Sequence, residues 1–347
     1  MANSLTYGGI LTKIKAMSSH LVKEADFRRI VELDSIADFI NYLRTKPSYE
    51  QLLKDVNEAT IHRGQIEELI KTSLFMDFSK IYTFSTRQQR SFLDVFFFRY
   101  EVTILKECLE LIYNQKSSLQ LAAFEPFFEK HSELNITALA ECKSLDEYIS
   151  CLKGTKYEAV LSNLHYADNT ISLNDFETQL DVFYYERIWK ILNKNFKGKE
   201  KKRLLILFGT EIDLLNIMWI YRSKKFYDVN AKEIYLSIIP IHFHLRKEQM
   251  VKLVESAGIP EFFSVLQTTH YGFLEKEYAK ESIEFIYSAQ MHKSYRQLLQ
   301  NASHSMLHVL YYLFLKEEEL DRITTTLECI RYSLEPGEAI KYIYSIY

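Results

Sequence analysis

Residues 204–222, LLILFGTEIDLLNIMWIYR, place apolar side chains on nearly every side of a helical period, the pattern of a helix buried all round. Three polar residues interrupt it, Glu211, Asp213 and Asn216. A polar group inside such a helix costs free energy unless it is paired. Asp213 and Asn216 stand three apart and so share one helix face, where they are expected to bond a neighbouring helix or a partner. Amphipathic stretches predict further long helices over 60–82, 172–194 and 281–300. Strand-like alternation is scarce. The best candidate, IYLSIIPIHFHL at 234–245, reads equally well as helix broken at Pro240. The pattern predicts an all-α fold.

The same pattern recurs. FRRIVELDSIADFINYL (27–43), ITALAECKSLDEYISCL (136–152) and MVKLVESAGIPEFFSVL (250–266) align without a gap, one copy roughly every 110 residues. An aliphatic residue stands at Ile30, Leu139 and Leu253, and a glutamate at Glu32, Glu141 and Glu255. An acid precedes an aromatic at Asp38–Phe39, Glu147–Tyr148 and Glu261–Phe262. Leu43, Leu152 and Leu266 close the blocks, and Tyr49, Tyr157 and Tyr271 follow soon after. Ser35-x-x-Asp38 and Ser144-x-x-Glu147 are capping-box patterns, and in the third copy Gly258 takes the cap position with Pro260 in the first turn. These acids read as helix punctuation.

The polar apolar-helix motif recurs as well. YEVTILKECLEL begins at Tyr100, TEIDLLNIMWIY at Thr210 and EELDRITTTLEC at Glu318. In this register Glu101, Glu211 and Glu319 correspond, as do Thr103, Asp213 and Asp321, and Lys106, Asn216 and Thr324. A catalytic site is built once from unlike residues converging on a pocket. A polar set repeated with substitutions is the mark of a repeated structural or interface role. Glu101, Glu211, Asp213, Asn216, Glu319 and Asp321 are therefore candidates for inter-helix or partner contacts. The copies predict three helical repeats over 1–115, 116–228 and 229–347, stacked as an open solenoid or closed into a pseudo-threefold ring.

Composition narrows the classes. The 347 residues exceed one comfortable core. With 47% hydrophobic and 26% charged residues the chain is globular, and nine Gly and five Pro favour long helices over parallel α/β folds with glycine-rich loops. A net charge of −3 gives no nucleic-acid footprint. Cys108, Cys142, Cys151 and Cys329 form no C-x-x-C pair, and no signal-peptide pattern opens the sequence, so reduced and mostly buried thiols are expected. The longest apolar run, LHVLYYLFL at 307–315, falls short of the roughly 20 residues a spanning helix needs.

Phosphate-loop, dinucleotide-binding and hydrolase motifs are missing, so no cofactor and no direct nucleotide contact is expected. His304/His308 and His242/His244 could each supply two metal ligands, but neither has the acid of a zincin and neither recurs, so no metal is expected. NKNFKGKEKKR (193–203) carries Lys194, Lys197, Lys199, Lys201, Lys202 and Arg203. It is read as a loop tip between two helices and as a candidate contact for anionic headgroups or an acidic partner.

The opening YGGILTKIKAMSSHLVKEADFRRIVELDSIADFINYLRTKPSYEQLL (7–53), together with the repeated acid-bearing helix clearest at Glu211–Asn216, resembles the C subunit of archaeal and bacterial A/V-type rotary ATPases, the counterpart of the eukaryotic d subunit. The resemblance covers essentially the whole chain and rests on the order and spacing of the motifs. Thr103, Lys106 and Thr324 depart from the Asp and Asn of the middle copy. The resemblance implies a pseudo-threefold funnel of three helical domains, peripheral on the cytoplasmic face of the membrane. One end would sit on the membrane rotor ring of proteolipid subunits and the other would receive the soluble central shaft. It implies a single copy within a hetero-oligomeric complex, and a non-catalytic rotor subunit that couples ATP-driven H+ or Na+ transport. Glu211, Asp213 and Glu319 would face the mouth that receives the shaft. The rival reading is a free helical-repeat scaffold for a protein or peptide.

Overall fold

The computed structural model describes residues 2–58, 61–114, 121, 124–165, 172–227, 229–278 and 281–345. Among these every regular element is helical and no strand occurs. The expected repeat boundary at 115–116 lies outside the described residues, as does residue 228 at the second.

The chain divides into two compact units, one of Met1–Leu93, Gln120–His131 and Asn301–Tyr347, the other of Asp94–Leu119 and Ser132–Gln300. In the first, helix Arg63–Thr83 packs against helix Leu307–Arg331, and the N-terminal helix Ala2–Ser19 lies on both. In the second, helix Leu173–Asn195 packs between Phe98–Asn114 and Gly198–Arg222, and the latter packs against Ile283–Leu299. The long helices thus fall within a few residues of the stretches their periodicity marks.

Helix Gly198–Arg222 continues into a π-helical turn, Ser223–Tyr227. The span Gly198–Tyr227 is long and apolar enough, by length and composition, to cross a membrane, although its sequence is broken by acids. In this fold 72% of its apolar window is buried inside the protein.

Shorter helices alternate with the long ones, and their starts are written in the repeated blocks. Ser35 Oγ accepts from the N–H of Asp38 at 3.1 Å, and Ser144 Oγ from that of Glu147 at 3.3 Å. Such a cap stabilises a helix by about 1 kcal/mol. The block acids complete the turn. Glu147 Oε2 accepts from the N–H of Lys143 at 2.8 Å and Glu261 Oε2 from that of Ala257 at 2.6 Å. The aliphatic and leucine columns Ile30, Leu139, Leu253, Leu43, Leu152 and Leu266 are all buried, as are Tyr49, Tyr157 and Tyr271. Glu32, Glu141 and Glu255 lie on the surface. The segment 234–245 is helical only to Ser237; residues 238–246 are irregular, with Pro240 among them.

Candidate functional site

The buried tyrosines and the buried acids meet each other. In the first unit, Glu319 Oε2 accepts from the Tyr49 hydroxyl at 2.9 Å, and its Oε1 from the N–H of Val22. In the second unit, Glu101 Oε2 accepts from Tyr157 at 2.7 Å, and its Oε1 from Ser132 Oγ, which itself accepts from the N–H of Leu134. Also in the second unit, Asp213 Oδ2 accepts from Tyr271 at 2.9 Å and from the N–H groups of His244 and Leu245 at 2.7 and 3.0 Å. Its Oδ1 accepts from the N–H of Phe243 at 3.3 Å. Each acid therefore fastens a tyrosine and the start of a chain segment to a long apolar helix.

The turns that deliver two of the tyrosines are built alike. Thr155 Oγ1 donates to the Leu152 carbonyl and accepts from the N–H of Tyr157; Thr269 does the same between Leu266 and Tyr271. In the first block the N–H of Tyr49 bonds the Lys46 carbonyl instead.

Charge is compensated differently in each case. Lys316, fully buried, donates to Glu319 Oε2 at 2.5 Å and to the Tyr49 oxygen at 2.8 Å. Lys156 pairs with Glu101 at 2.6 Å and lies 3.7 Å from the centre of the Phe98 ring. Among the described residues no lysine pairs with Asp213. Burial pushes its carboxyl above the usual carboxylate value, and the N–H groups of Leu245, His244 and Phe243 and the Tyr271 hydroxyl offset only part of that rise. Burial, then the facing carboxylate, pushes the hydroxyls of Tyr49, Tyr157 and Tyr271 upward, so all three donate as neutral phenols.

The remaining polar residues of the apolar helices have other partners. Asn216 acts as a second peptide group, donating to the Ile239 carbonyl at 3.0 Å and accepting from the Ile239 N–H at 2.8 Å. Together with Asp213 it anchors the irregular segment after Ser237. Glu211 Oε1 accepts from Tyr185 at 3.0 Å, Tyr287 at 3.2 Å and Arg99 at 3.4 Å, joining three other long helices of its unit. Asp321 lies on the surface, where its carbonyl accepts from Thr325 Oγ1.

Two sequence expectations need correction. The residue that does the work of Glu101 and Glu319 in helix Gly198–Arg222 is Asp213, two places beyond the Glu211 that the gapless register selects. Second, Glu211, Asp213 and Glu319 are only 4%, 0% and 3% exposed and are bonded within the chain, so they do not line an open mouth. The pairing of tyrosine with acid is not expected from the motifs, although both columns recur.

The basic stretch is also less of a loop than expected. Helix Leu173–Asn195 ends and helix Gly198–Arg222 begins with only Phe196 and Lys197 between. Gly198, at φ +61, occupies the left-handed region that permits so tight a turn. Lys199, Lys201, Lys202 and Arg203 thus ride the first turns of a helix. Lys197, Lys199 and Lys202 are exposed, while Lys201 Nζ donates to the Asn193 carbonyl at 2.7 Å and closes the preceding helix.

His308 Nε2 bonds the Ala302 carbonyl, His304 bonds Ser303, and His244 stacks on His270 with ring centres 4.4 Å apart. Among the described residues no group of three or more His, Cys, Asp or Glu side chains is arranged to hold a metal.

The fold and these contacts define an all-α protein whose buried carboxylates bind the chain's own tyrosines and backbone N–H groups. Residues 10–342 match the model of the ATP synthase (C/AC39) subunit family, and the chain belongs to that family. It is similar to the C subunit of the A-type ATP synthase of Thermococcus kodakarensis, 26% identical over 338 residues that cover 95% of this chain and 87% of the relative. The corresponding C subunit of Thermococcus onnurineus is 24% identical over 341 residues, with 95% and 87% covered. That of Archaeoglobus fulgidus is 25% identical over 341 residues, with 92% and 91% covered.

Proposed function

We propose that the chain is a non-catalytic rotor subunit of an A/V-type ATPase, coupling the soluble central shaft to the membrane rotor ring during ATP-driven H+ or Na+ transport. It acts at the cytoplasmic face of the membrane, as one copy in a hetero-oligomeric complex. The observation that carries the reading is the set of buried carboxylate–tyrosine bonds, taken with the names of the relatives. A torque-transmitting part must be stiff. Apolar helices packed at interior density resist deformation, and a buried, satisfied polar contact fixes which segment sits against which helix.

Three helical repeats, 1–115, 116–228 and 229–347, remain our reading of the chain's plan. The bonds add a detail to it. Tyr157 and Tyr271 each draw their acid from the long helix that precedes their block, whereas Tyr49 draws Glu319 from the last long helix. The first and last repeats therefore share elements. The exposed Lys197, Lys199 and Lys202 are our candidates for contact with anionic headgroups or an acidic partner.

An affinity pulldown from gently solubilised membranes tests the proposal, with the tagged chain as bait. It predicts recovery of a small hydrophobic ring protein together with soluble shaft proteins. Recovery of neither, with the bait wholly in the soluble fraction of an ATPase-expressing cell, would leave the free scaffold as the better reading.

A further inference from the structure

Two of the four cysteines meet at the surface. Cys142 caps the end of helix Ile136–Glu141, and Cys151 is the last residue of helix Leu145–Cys151. Their Sγ atoms stand 3.6 Å apart. A disulfide bond is about 2.0 Å long, so the sulfurs need to approach by only about 1.6 Å. Cys151 is exposed and Cys142 half-buried, whereas Cys108 and Cys329 are buried. The expectation of mostly buried thiols thus fails for this pair. The short helix between them is well anchored, by Ser144 and Glu147 at its start and by Tyr148, whose hydroxyl donates to the Leu105 carbonyl at 3.0 Å.

We propose that Cys142 and Cys151 form a reversible dithiol–disulfide site that reacts with low-molecular-weight disulfides. Exposure decides the order of events. Cys151 gives its thiol proton to water, and its thiolate attacks one sulfur of a small disulfide, R–S–S–R. A mixed disulfide forms on Cys151 and the first R–S− leaves, taking up a proton from water. Cys142 then gives its proton to water and attacks the Cys151 sulfur, expelling the second R–S−, which takes up a proton in turn. In sum two protein thiols are oxidised to one disulfide and one small disulfide is reduced to two thiols. Burial, then the adjoining Cys151 sulfur and the carboxylates of Glu147 and Glu141, push the Cys142 thiol up to about 12. It is accordingly the poor first nucleophile, and its attack becomes effective once a leaving group is held beside it. The bridge would join the ends of two short helices within the block 136–152. This site does not depend on the proposed rotor role.

The test treats the full chain in native buffer with 2-hydroxyethyl disulfide, records the intact mass, then unfolds the chain, alkylates free thiols and maps peptides by mass spectrometry. The expected result is an intact mass lower by two hydrogens, a peptide pair joined through Cys142 and Cys151, alkylated Cys108 and Cys329, and full reversal by dithiothreitol. The C142S chain should stop at a hydroxyethyl mixed disulfide on Cys151. Wild-type chain that stops at that adduct, stays unmodified, or bridges through Cys108 would overturn the proposal; this readout needs no variant to fold.

Discussion

The contact of Glu319 with Lys316 is open to a sharp perturbation, Glu319→Gln. Lys316 is fully buried and has two oxygen contacts, Glu319 Oε2 and the Tyr49 oxygen. Glutamine keeps the shape of the side chain but removes its charge and turns one acceptor into a donor. If its carbonyl accepts from the N–H of Val22, its NH2 faces the ammonium. If it turns round, the NH2 faces Val22 instead. Removing one partner of a buried ion pair costs about 3–5 kcal/mol, because the other charge stays buried without compensation. That is a large part of the roughly 5–15 kcal/mol that stabilises a domain.

The double variant K316M/E319Q should recover most of the loss. With the ammonium gone, the glutamine carbonyl can serve Val22 while its NH2 donates to the Tyr49 oxygen, which has lone pairs to accept it. Trp189 and Trp219 both lie in the other unit, so the measurement should be urea denaturation by far-ultraviolet circular dichroism, with amide exchange read in helix Leu307–Arg331. The single variant should lower the midpoint by on the order of 1–2 M urea. A loss below about 1 kcal/mol, or a double variant as unstable as the single one, would show that the charge at Glu319 does not hold Lys316 in place.

Other parts of the structure give further expectations. Leu43→Ala, Leu152→Ala and Leu266→Ala should each cost about 2–5 kcal/mol in equilibrium unfolding, since all three are fully buried; losses under about 1 kcal/mol at every one would remove these columns from the core. Gly209 has no room for a methyl group, because a Cβ would lie 2.4 Å from Cγ of Phe243. Gly209→Ala should destabilise by about 1–3 kcal/mol and, by displacing Phe243 from its edge contact with Trp189, change the tryptophan emission; unchanged emission would place Phe243 elsewhere.

Asp26 supplies the pH dependence. Burial raises its carboxyl, but Lys46, the N–H of Lys23 and the Tyr42 hydroxyl outweigh that and hold it below the usual 3.8. A carboxyl depressed on folding contributes stability above its unfolded value and loses it as pH falls through the folded one. Acid titration of unfolding should therefore show a loss beginning near pH 3.8 that Asp26→Asn reduces, and an identical acid limb in the variant would contradict the assignment.

Much of the fold is legible in the sequence because its signals are local. Helical periodicity marks the long helices, Ser35 and Ser144 mark helix starts, and the leucine and tyrosine columns mark the core. The bonds between Tyr49 and Glu319, or Tyr157 and Glu101, join residues far apart in the chain, which periodicity does not reach. The register error at Glu211 has a physical origin too. In a helix apolar on nearly all sides, a gapless alignment has little to choose between acids two residues apart, and here the shorter Asp213 serves where three backbone N–H groups come close. The basic stretch reads as a loop because a turn of two residues depends on the left-handed conformation of Gly198, one glycine in a run of lysines.

The proposed function has this chain couple rotation to transport without taking part in hydrolysis. Its most direct test is a membrane ATPase preparation from cells lacking the chain, assayed in inverted vesicles for ATP hydrolysis and ATP-driven ion uptake, before and after adding the purified protein. Hydrolysis by the soluble sector without ion uptake is expected, with uptake restored on addition of the chain. Ion uptake at the normal ratio to hydrolysis in its absence would contradict it.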